Sequence, residues 1–465
     1  MLKNKRYILL LVFGTLVILA GIFVLFTKIE YSKLTVKNVN NYTASVKQSG
    51  SALTNGSLRT GDEHFGYNGF FLESLLGRNR EFVNADTESL GHVLEATQAT
   101  LLRFPGGTRA NSYVFDLSAP GLGEDSSFDK LFDQNFIVDY AKFAKSFGVK
   151  TVYVMNLSAH FPSYYGGNQP QPPRLKGKTD EEIIDMNIRA VEYLLDQGLE
   201  VPYVEFGNEL YLHNLSKLRN LKVANKDASE VSKTMQGEMD KYETLINKYN
   251  EALATLSQKK SSQLGRDIKF KTGVPVVLLN GNQSKPYAGA YQARNQYWNE
   301  RVKDLPVTAL VPHSYSNLSR CRNAALNTSQ RAQCMEEDSK KDIEELPLAL
   351  QMTKGLAPEK EIWVTEFNSG LGFESTDVLA QSSFVNSTAH VDYLQKVATI
   401  FREQSINIFL MHMFYSSGST SAVANNTNDT RSVKIEESSR VYIKPTICAF
   451  IPENLTTYRT KFSCR

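Results

Sequence analysis

The chain has 465 residues, 42% of them hydrophobic and 22% charged, with a formal net charge of +3. That is too apolar for a disordered chain, and long enough for a sizeable core in one large domain or in two to three ordinary ones. Near-neutral charge with no block of like sign gives no reason to expect a nucleic-acid partner.

The chain begins with a basic segment, MLKNKR, followed by twenty uncharged residues from Tyr7 to Phe26. At about 1.5 Å per residue such a helix spans the ~30 Å hydrocarbon core of a bilayer. A cleaved secretory signal has a shorter apolar core of about 7 to 15 residues and a small-residue cleavage site, whereas the flank here reads FTKIEYSK. Residues 7–26 are therefore expected to form a transmembrane signal anchor, with secretion after cleavage as the alternative. Lys3, Lys5 and Arg6 keep residues 1–6 cytoplasmic on this reading, which makes a single-pass type II membrane protein of the secretory pathway or cell surface. Eleven N-x-S/T sequons, at Asn41, Asn55, Asn156, Asn214, Asn282, Asn317, Asn327, Asn386, Asn425, Asn428 and Asn454, exceed what composition alone gives and agree with a glycosylated secretory protein.

A polar stretch, 27–65, reads as a stalk with accessory strands. Strand-like segments then follow at 67–73, 100–104, 149–156, 201–207, 270–277, 307–313, 361–367 and 406–414. Amphipathic stretches of helical length lie between them, at 86–97, 132–147, 180–197, 235–257, 290–302, 337–354 and 387–403. The strands are apolar rather than alternating, as in a parallel sheet buried on both faces. Eight β-then-α units predict a (β/α)8 TIM barrel over 66–416, with the loops that follow the strands forming one catalytic rim. An open doubly wound sheet is the rival, but neither of its Gly-rich phosphate loops occurs. The last segment, 417–465, is expected to add a small β-sheet with 27–65. Cys321, Cys334, Cys448 and Cys464 are spaced for two local disulfides, Cys321–Cys334 and Cys448–Cys464, better than for a metal site.

Two acids end strands of this barrel. Glu209 follows the fourth, VPYVEF, and Glu366 closes the seventh, IWVTEF, so their carboxylates can face each other across the mouth. Cleavage of a glycosidic bond needs such a pair, one acid donating a proton to the leaving oxygen and one carboxylate attacking the anomeric carbon or activating water.

Four short motifs carry a resemblance. EFGNE (205–209) is similar to the acid/base segment of retaining clan A glycoside hydrolases, in the form found in heparanase and β-glucuronidase relatives, and WVTEFN (363–368) to their nucleophile strand, with a flavour of α-L-arabinofuranosidases. LRFPGG (102–107) resembles the second-strand Arg and Gly-Gly turn of both groups, and PHSY (312–315) the sixth-strand His-x-Tyr. The resemblance implies that Glu209 is the general acid/base and Glu366 the nucleophile. Asn208 would bind the sugar 2-hydroxyl, Arg103 and Tyr315 would hold Glu366, and His313 would wall the sugar subsite. Asn156, at the end of the third strand, should face the site and so stay unglycosylated despite its sequon. Glu205 reads as a buried structural acid paired with a base, and His412 as either structural or functional. Tyr164, Tyr165 and Trp298 are candidates for stacking on sugars, Trp298 rather for packing, and the basic stretch 217–226 reads as solvated surface.

The chemistry asks for no cofactor or metal, and the seven histidines are scattered. Two other functions stay open at this point: a non-catalytic carbohydrate-binding or structural membrane glycoprotein on the same barrel, and a secretory-pathway glycosyltransferase, which the lack of an Asp-x-Asp pair disfavours.

Overall fold

A computed structural model describes residues 62–68, 91–111, 135–161, 177–212, 228–279, 288–316, 326–368, 388–412, 423–424, 442–443 and 445–461, with a few isolated positions between them. The expected anchor at 7–26, the sequons at Asn41, Asn55, Asn214, Asn282, Asn317, Asn386, Asn425 and Asn428, the pair Tyr164 and Tyr165, and the basic stretch 217–226 lie outside these residues. Among the described residues no helix is long and apolar enough to cross a membrane.

Eight parallel strands close into a barrel in chain order. They are β1 (Asp62–Asn68), β2 (Ala99–Phe104), β3 (Lys150–Val154), β4 (Tyr203–Glu205), β5 (Lys271–Val276), β6 (Ala309–Tyr315), β7 (Glu361–Asn368) and β8 (Ile408–Met411). β1 pairs with both β2 and β8, so no edge is left open. Helices α1 (Asn135–Phe147), α2 (Asp180–Asp196), α3 (Ala228–Leu264), α4 (Ala288–Val302), α5 (Thr328–Lys354) and α6 (Thr388–Glu403) follow β2 to β7 in turn. Two starts are fixed by capping boxes, Thr179 with Glu182 for α2 and Asn327 with Gln330 for α5, where a side chain takes an otherwise unpaired amide of the first turn.

Alternation along the strands separates two cores. Phe65, Tyr67, Leu102, Phe104, Val204, Leu310 and Phe409 point outward against the helices. Leu101, Val152, Ala309, Val311, Trp363, Ile408 and Leu410 fill the barrel. One step further toward the C-terminal mouth the same inward faces turn polar, through Asn68, Arg103, Glu205, His313 and His412.

Two expectations about element bounds are corrected. The first strand is Asp62–Asn68 rather than 67–73, so it straddles the boundary drawn between stalk and barrel. Phe65 and Tyr67 pack outward, and Gly66 is required where a Cβ would lie 2.1 Å from the Leu101 carbonyl oxygen. In the segment after β8 the described strands are a two-residue antiparallel pair, Val423–Ala424 with Tyr442–Ile443, while the expected partner stretch 27–61 lies outside the described residues. The segment also contributes a short 3-10 turn, Pro445–Ala449, followed by Phe450 and Ile451. Phe450 stacks on Phe65 at 4.6 Å and meets Tyr67 and Phe367 edge-on, so the turn occupies the outer wall between β8 and β1 where an eighth helix belongs. The second correction is that α3 and α5 begin earlier than 235 and 337.

Both disulfides are formed as paired from the sequence, Cys321–Cys334 and Cys448–Cys464, and the second ties the 3-10 turn to the short helix Thr456–Lys461 behind it.

Candidate active site

The polar layer at the mouth is built around one buried cation. Arg103, on β2, is fully buried. Its Nε and Nη2 donate to the two oxygens of Glu205 at 2.9 and 2.7 Å, its Nη1 donates to Glu366 Oε1 at 2.6 Å, and Nη2 also reaches Asn208 Oδ1 at 3.0 Å. A guanidinium is suited to this, since its planar fork serves several acceptors at once. Glu205 therefore has the paired, buried role read from the sequence.

Glu366 gains its inward direction from an irregularity in β7. Leu310 pairs with Ile362 but His313 with Glu366, so β7 uses one residue more than β6 over this interval. The same step recurs against β8, between Val364 and Phe367. Trp363 lies inside the barrel and Val364 outside, and strict alternation would make Thr365 the next inward residue. The bulge hands that place to Glu366, a use of bulges common beside active sites. Its Oε1 accepts from Arg103 and, at 3.1 Å, from Asn68 Nδ2, while its Oε2 accepts a very short hydrogen bond from the Tyr315 hydroxyl. Burial opposes a charge on Glu366, but the histidines 313 and 412, Arg103 and the Tyr315 hydrogen bond outweigh it and hold the carboxyl well below the usual range. Of these, Arg103 is the permanent charge, because burial pushes His412 down to about 4 and leaves it neutral at pH 7. Burial beside Glu366 raises Tyr315 well above its ordinary value, so its hydroxyl stays a donor.

Glu209 is presented by a strained turn. Gly207 sits at φ +93, where a Cβ would lie 2.5 Å from the Leu210 side chain, and Glu209 itself has φ +48. Few residues with a Cβ occupy this region, and such strain concentrates at functional positions. The turn is pinned from behind by Tyr242 of α3, whose hydroxyl donates to the Phe206 carbonyl at 3.0 Å. At the front, Tyr211 donates to Glu209 Oε1 at 3.2 Å. The Glu209 side chain remains 26% accessible, against 5% for Glu366, so it is the more open of the two acids.

His313 joins them. Its Nδ1 is 3.0 Å from Glu209 Oε1 and 3.5 Å from Glu366 Oε2, so those two oxygens lie no more than 6.5 Å apart, the sum of the two distances. Burial works against a charge on this imidazole, yet the Glu366 charge and the Glu209 hydrogen bond raise its pKa above the ordinary histidine value.

Glu209, Glu366, Asn208, Arg103, His313 and Tyr315 thus share one cluster. Asn156 does not offer its side chain to it: the amide is buried, donating to the Tyr113 carbonyl at 2.8 Å and accepting from Ala159 N at 3.1 Å. Those bonds use the side chain to hold the loop after β3 and leave the sequon inaccessible, whereas Asn327 and Asn454 are exposed. Trp298 packs, donating to the Pro275 carbonyl at 2.7 Å. Two contributors have no counterpart in the sequence reading. Asn68 was passed over because the expected first strand began at 67, which put it at the base of a strand instead of at its tip. Tyr211 lies in a single 3-10 turn, Leu210–Leu212, too short for any periodicity to point to it.

The fold is a (β/α)8 barrel whose mouth holds two facing carboxylates around a buried arginine and a histidine. No family model and no curated protein matches the chain. Solved structures similar to it include the GH51 arabinofuranosidase of Xanthomonas axonopodis pv. citri, at 12% identity over 86% of this chain and 73% of that one, with a TM-score of 0.47. A GH1 β-glucosidase from Exiguobacterium antarcticum B7 matches at 11% identity over 87% and 99% of the two chains, TM-score 0.44. An endo-β1,6-glucanase matches at 11% identity over 86% and 76%, TM-score 0.40.

Proposed function

We propose that the protein is a retaining glycoside hydrolase that cleaves glycosidic bonds in oligo- or polysaccharides or glycoconjugates. The observation that carries this reading is a pair of carboxylates no more than 6.5 Å apart, one of them held ionised by a buried arginine. Retaining enzymes place their carboxyl groups about 5 to 5.5 Å apart, and inverting ones about 6.5 to 9.5 Å. In the first step Glu366 attacks the anomeric carbon as the bond to the leaving oxygen breaks, and Glu209 gives that oxygen its proton. In the second, Glu209 takes a proton from water, whose oxygen displaces Glu366 and restores the free enzyme. Asn208, fixed by Arg103 at 3.0 Å, supplies a donor for the sugar 2-hydroxyl, an interaction that strengthens in the oxocarbenium-like transition state. Anchored by residues 7–26, the barrel would work outside the cytoplasm, which suits its two disulfides.

The test is a panel of aryl glycosides offered to the wild type and to the Glu209→Gln and Glu366→Gln variants, with NMR of the first-formed anomer. The wild type should turn over at least one member with retention. Glu209→Gln should lose about 10²- to 10⁴-fold on poor leaving groups, the usual share of general acid–base catalysis, and Glu366→Gln should lose nearly everything. Equal residual turnover in all three proteins, or an inverted product, overturns the assignment.

A further inference from the structure

Asn68 and His412 stand on neighbouring strands. Tyr67 of β1 pairs with Met411 of β8, and the next residue on each strand turns inward at the mouth. Asn68 Nδ2 lies 3.1 Å from Glu366 Oε1 and 2.7 Å from His412 Nδ1, and all three side chains are buried. An amide nitrogen has two hydrogens, and here each has an acceptor.

The chemistry fixes both orientations. Turning the Asn68 amide over would set its oxygen against an ionised carboxylate, so the nitrogen must face Glu366. The amide oxygen then lies on the side of Gly106, where a Cβ would come within 1.9 Å of it, so only glycine leaves room. With a donor 2.7 Å away, His412 Nδ1 must be an acceptor, and the imidazole proton resides on Nε2. Protonated Nδ1 would bring two hydrogens together along one short contact. His412 is therefore built as a neutral ring whose lone pair turns Asn68, and the ring's low pKa agrees with this.

Asn68 in turn decides how the two oxygens of Glu366 differ. Oε1 accepts from Arg103 at 2.6 Å and from Asn68, while among the described residues Oε2 accepts from Tyr315, with the nitrogens of His313 and His412 at 3.5 and 3.7 Å. Resting on the reading of Glu366 as nucleophile, we propose that Asn68, oriented by neutral His412, is a positioning residue that anchors Oε1 and presents Oε2 as the attacking oxygen. Neither residue touches the reacting carbon. They act through Glu366, and protonation of His412 undoes the arrangement by removing the acceptor that turns the amide.

The groups that face His412 are Glu366, Arg103, His313 and Glu209, with the Tyr315 ring edge-on at 6.0 Å. Glu366 titrates far below His412, and Arg103 does not titrate in this range. His313, with its raised pKa, already carries its proton on the acid side, and the next event at the nucleophile is proton uptake by His412.

The experiment measures covalent labelling of Glu366 by a 2-deoxy-2-fluoro glycoside with a 2,4-dinitrophenyl leaving group, from the sugar the wild type turns over fastest in the panel above. That leaving group departs without acid help, so the rate reports the nucleophile and not Glu209. Asn68→Ala should slow labelling about ten- to a hundred-fold, the usual consequence of losing a hydrogen bond to a charged group. His412→Asn keeps an acceptor near the Nδ1 position and His412→Leu removes it, so the first should be slowed less than the second. His412→Asn should also carry its rate to lower pH than the wild type, since its side chain cannot take up a proton. Thermal melts of the three variants identify any that fail to fold, and His412→Asn alone suffices for the pH comparison. If the wild type is not labelled on Glu366, the proposed function fails. If it is labelled and Asn68→Ala keeps pace with it, or His412→Asn shares its acid limb, the positioning role is wrong.

Discussion

Arg103 is the side chain whose loss the structure prices most directly. Replacing it with leucine leaves Glu205 and Glu366 buried at 1% and 4% accessibility without their guanidinium. Removing one member of a buried pair costs roughly 3 to 5 kcal/mol. Here one cation serves two acids and Asn208, so the upper end, about 5 kcal/mol, is expected for Arg103→Leu at neutral pH. The loss should depend on pH in a definite direction. Without the arginine the buried acids bind protons more tightly than in the unfolded chain, so the folded variant takes up a proton as pH falls and regains stability relative to wild type. One extra proton is worth about 1.4 kcal/mol per pH unit, hence about 2 to 3 kcal/mol between pH 7.5 and 5.5. Urea unfolding of both proteins at those two pH values reads the difference. A deficit under about 1 kcal/mol, or one that does not change between them, would refute the view of Arg103 as the charge that compensates Glu205 and Glu366. The double variant Arg103→Leu/Glu205→Leu should recover part of the deficit, as apolar replacement of a buried pair commonly does.

Gly207→Ala should destabilise the protein by about 1 to 2 kcal/mol, through its φ of +93 and the 2.5 Å approach to Leu210; displacement of Glu209 should slow glycosides with poor leaving groups more than dinitrophenyl ones. Burial holds both His160 and His412 near pKa 4. The unfolded chain takes up these protons near pH 6.5, so stability should fall as pH drops from about 6.5 to 4, by up to about 3 kcal/mol for each histidine. His313, with its raised pKa, acts in the opposite sense only above about 6.5. A urea midpoint that stays flat across that window would contradict the buried neutral rings. Cys448→Ser/Cys464→Ser opens a loop closed over 16 residues, which should cost about 3 kcal/mol in reversible unfolding; fluorescence of the released aromatic cluster at Phe450 offers a second readout.

Residues at the mouth were legible where a strand's end coincided with a short polar motif, as at EFGNE and WVTEF. Strand periodicity alone would have failed for Glu366. Its inward direction depends on a bulge that no pattern of apolar residues marks, and the sequence points to the acid by its place at a strand end and by the motif around it. Asn68 shows the converse. DEHFGYN has two large apolar residues and a glycine, and the richer run after it drew the expected strand too far along the chain. Close approach of Gly66 to Leu101 is a tertiary fact, and it decides that strand. The early start of α5 had a local signal in the Asn327 to Gln330 capping box, hidden because the same asparagine opens a sequon. The eighth wall was not legible at all, since Phe450 and Ile451 carry no helical period and find their place only against the folded barrel.

The stacking of Phe450 on Phe65 bears on how the molecule is made. β1 and β8 close the ring from positions 344 residues apart, and the aromatic seal over their seam comes from residues translated later still. The nascent chain must therefore carry an unzipped sheet edge until β8 is made, and the turn that then covers the seam is fastened by its own disulfide, Cys448–Cys464. Assembly of the polar mouth, which needs Asn68 and His412 side by side, cannot precede the synthesis of β8.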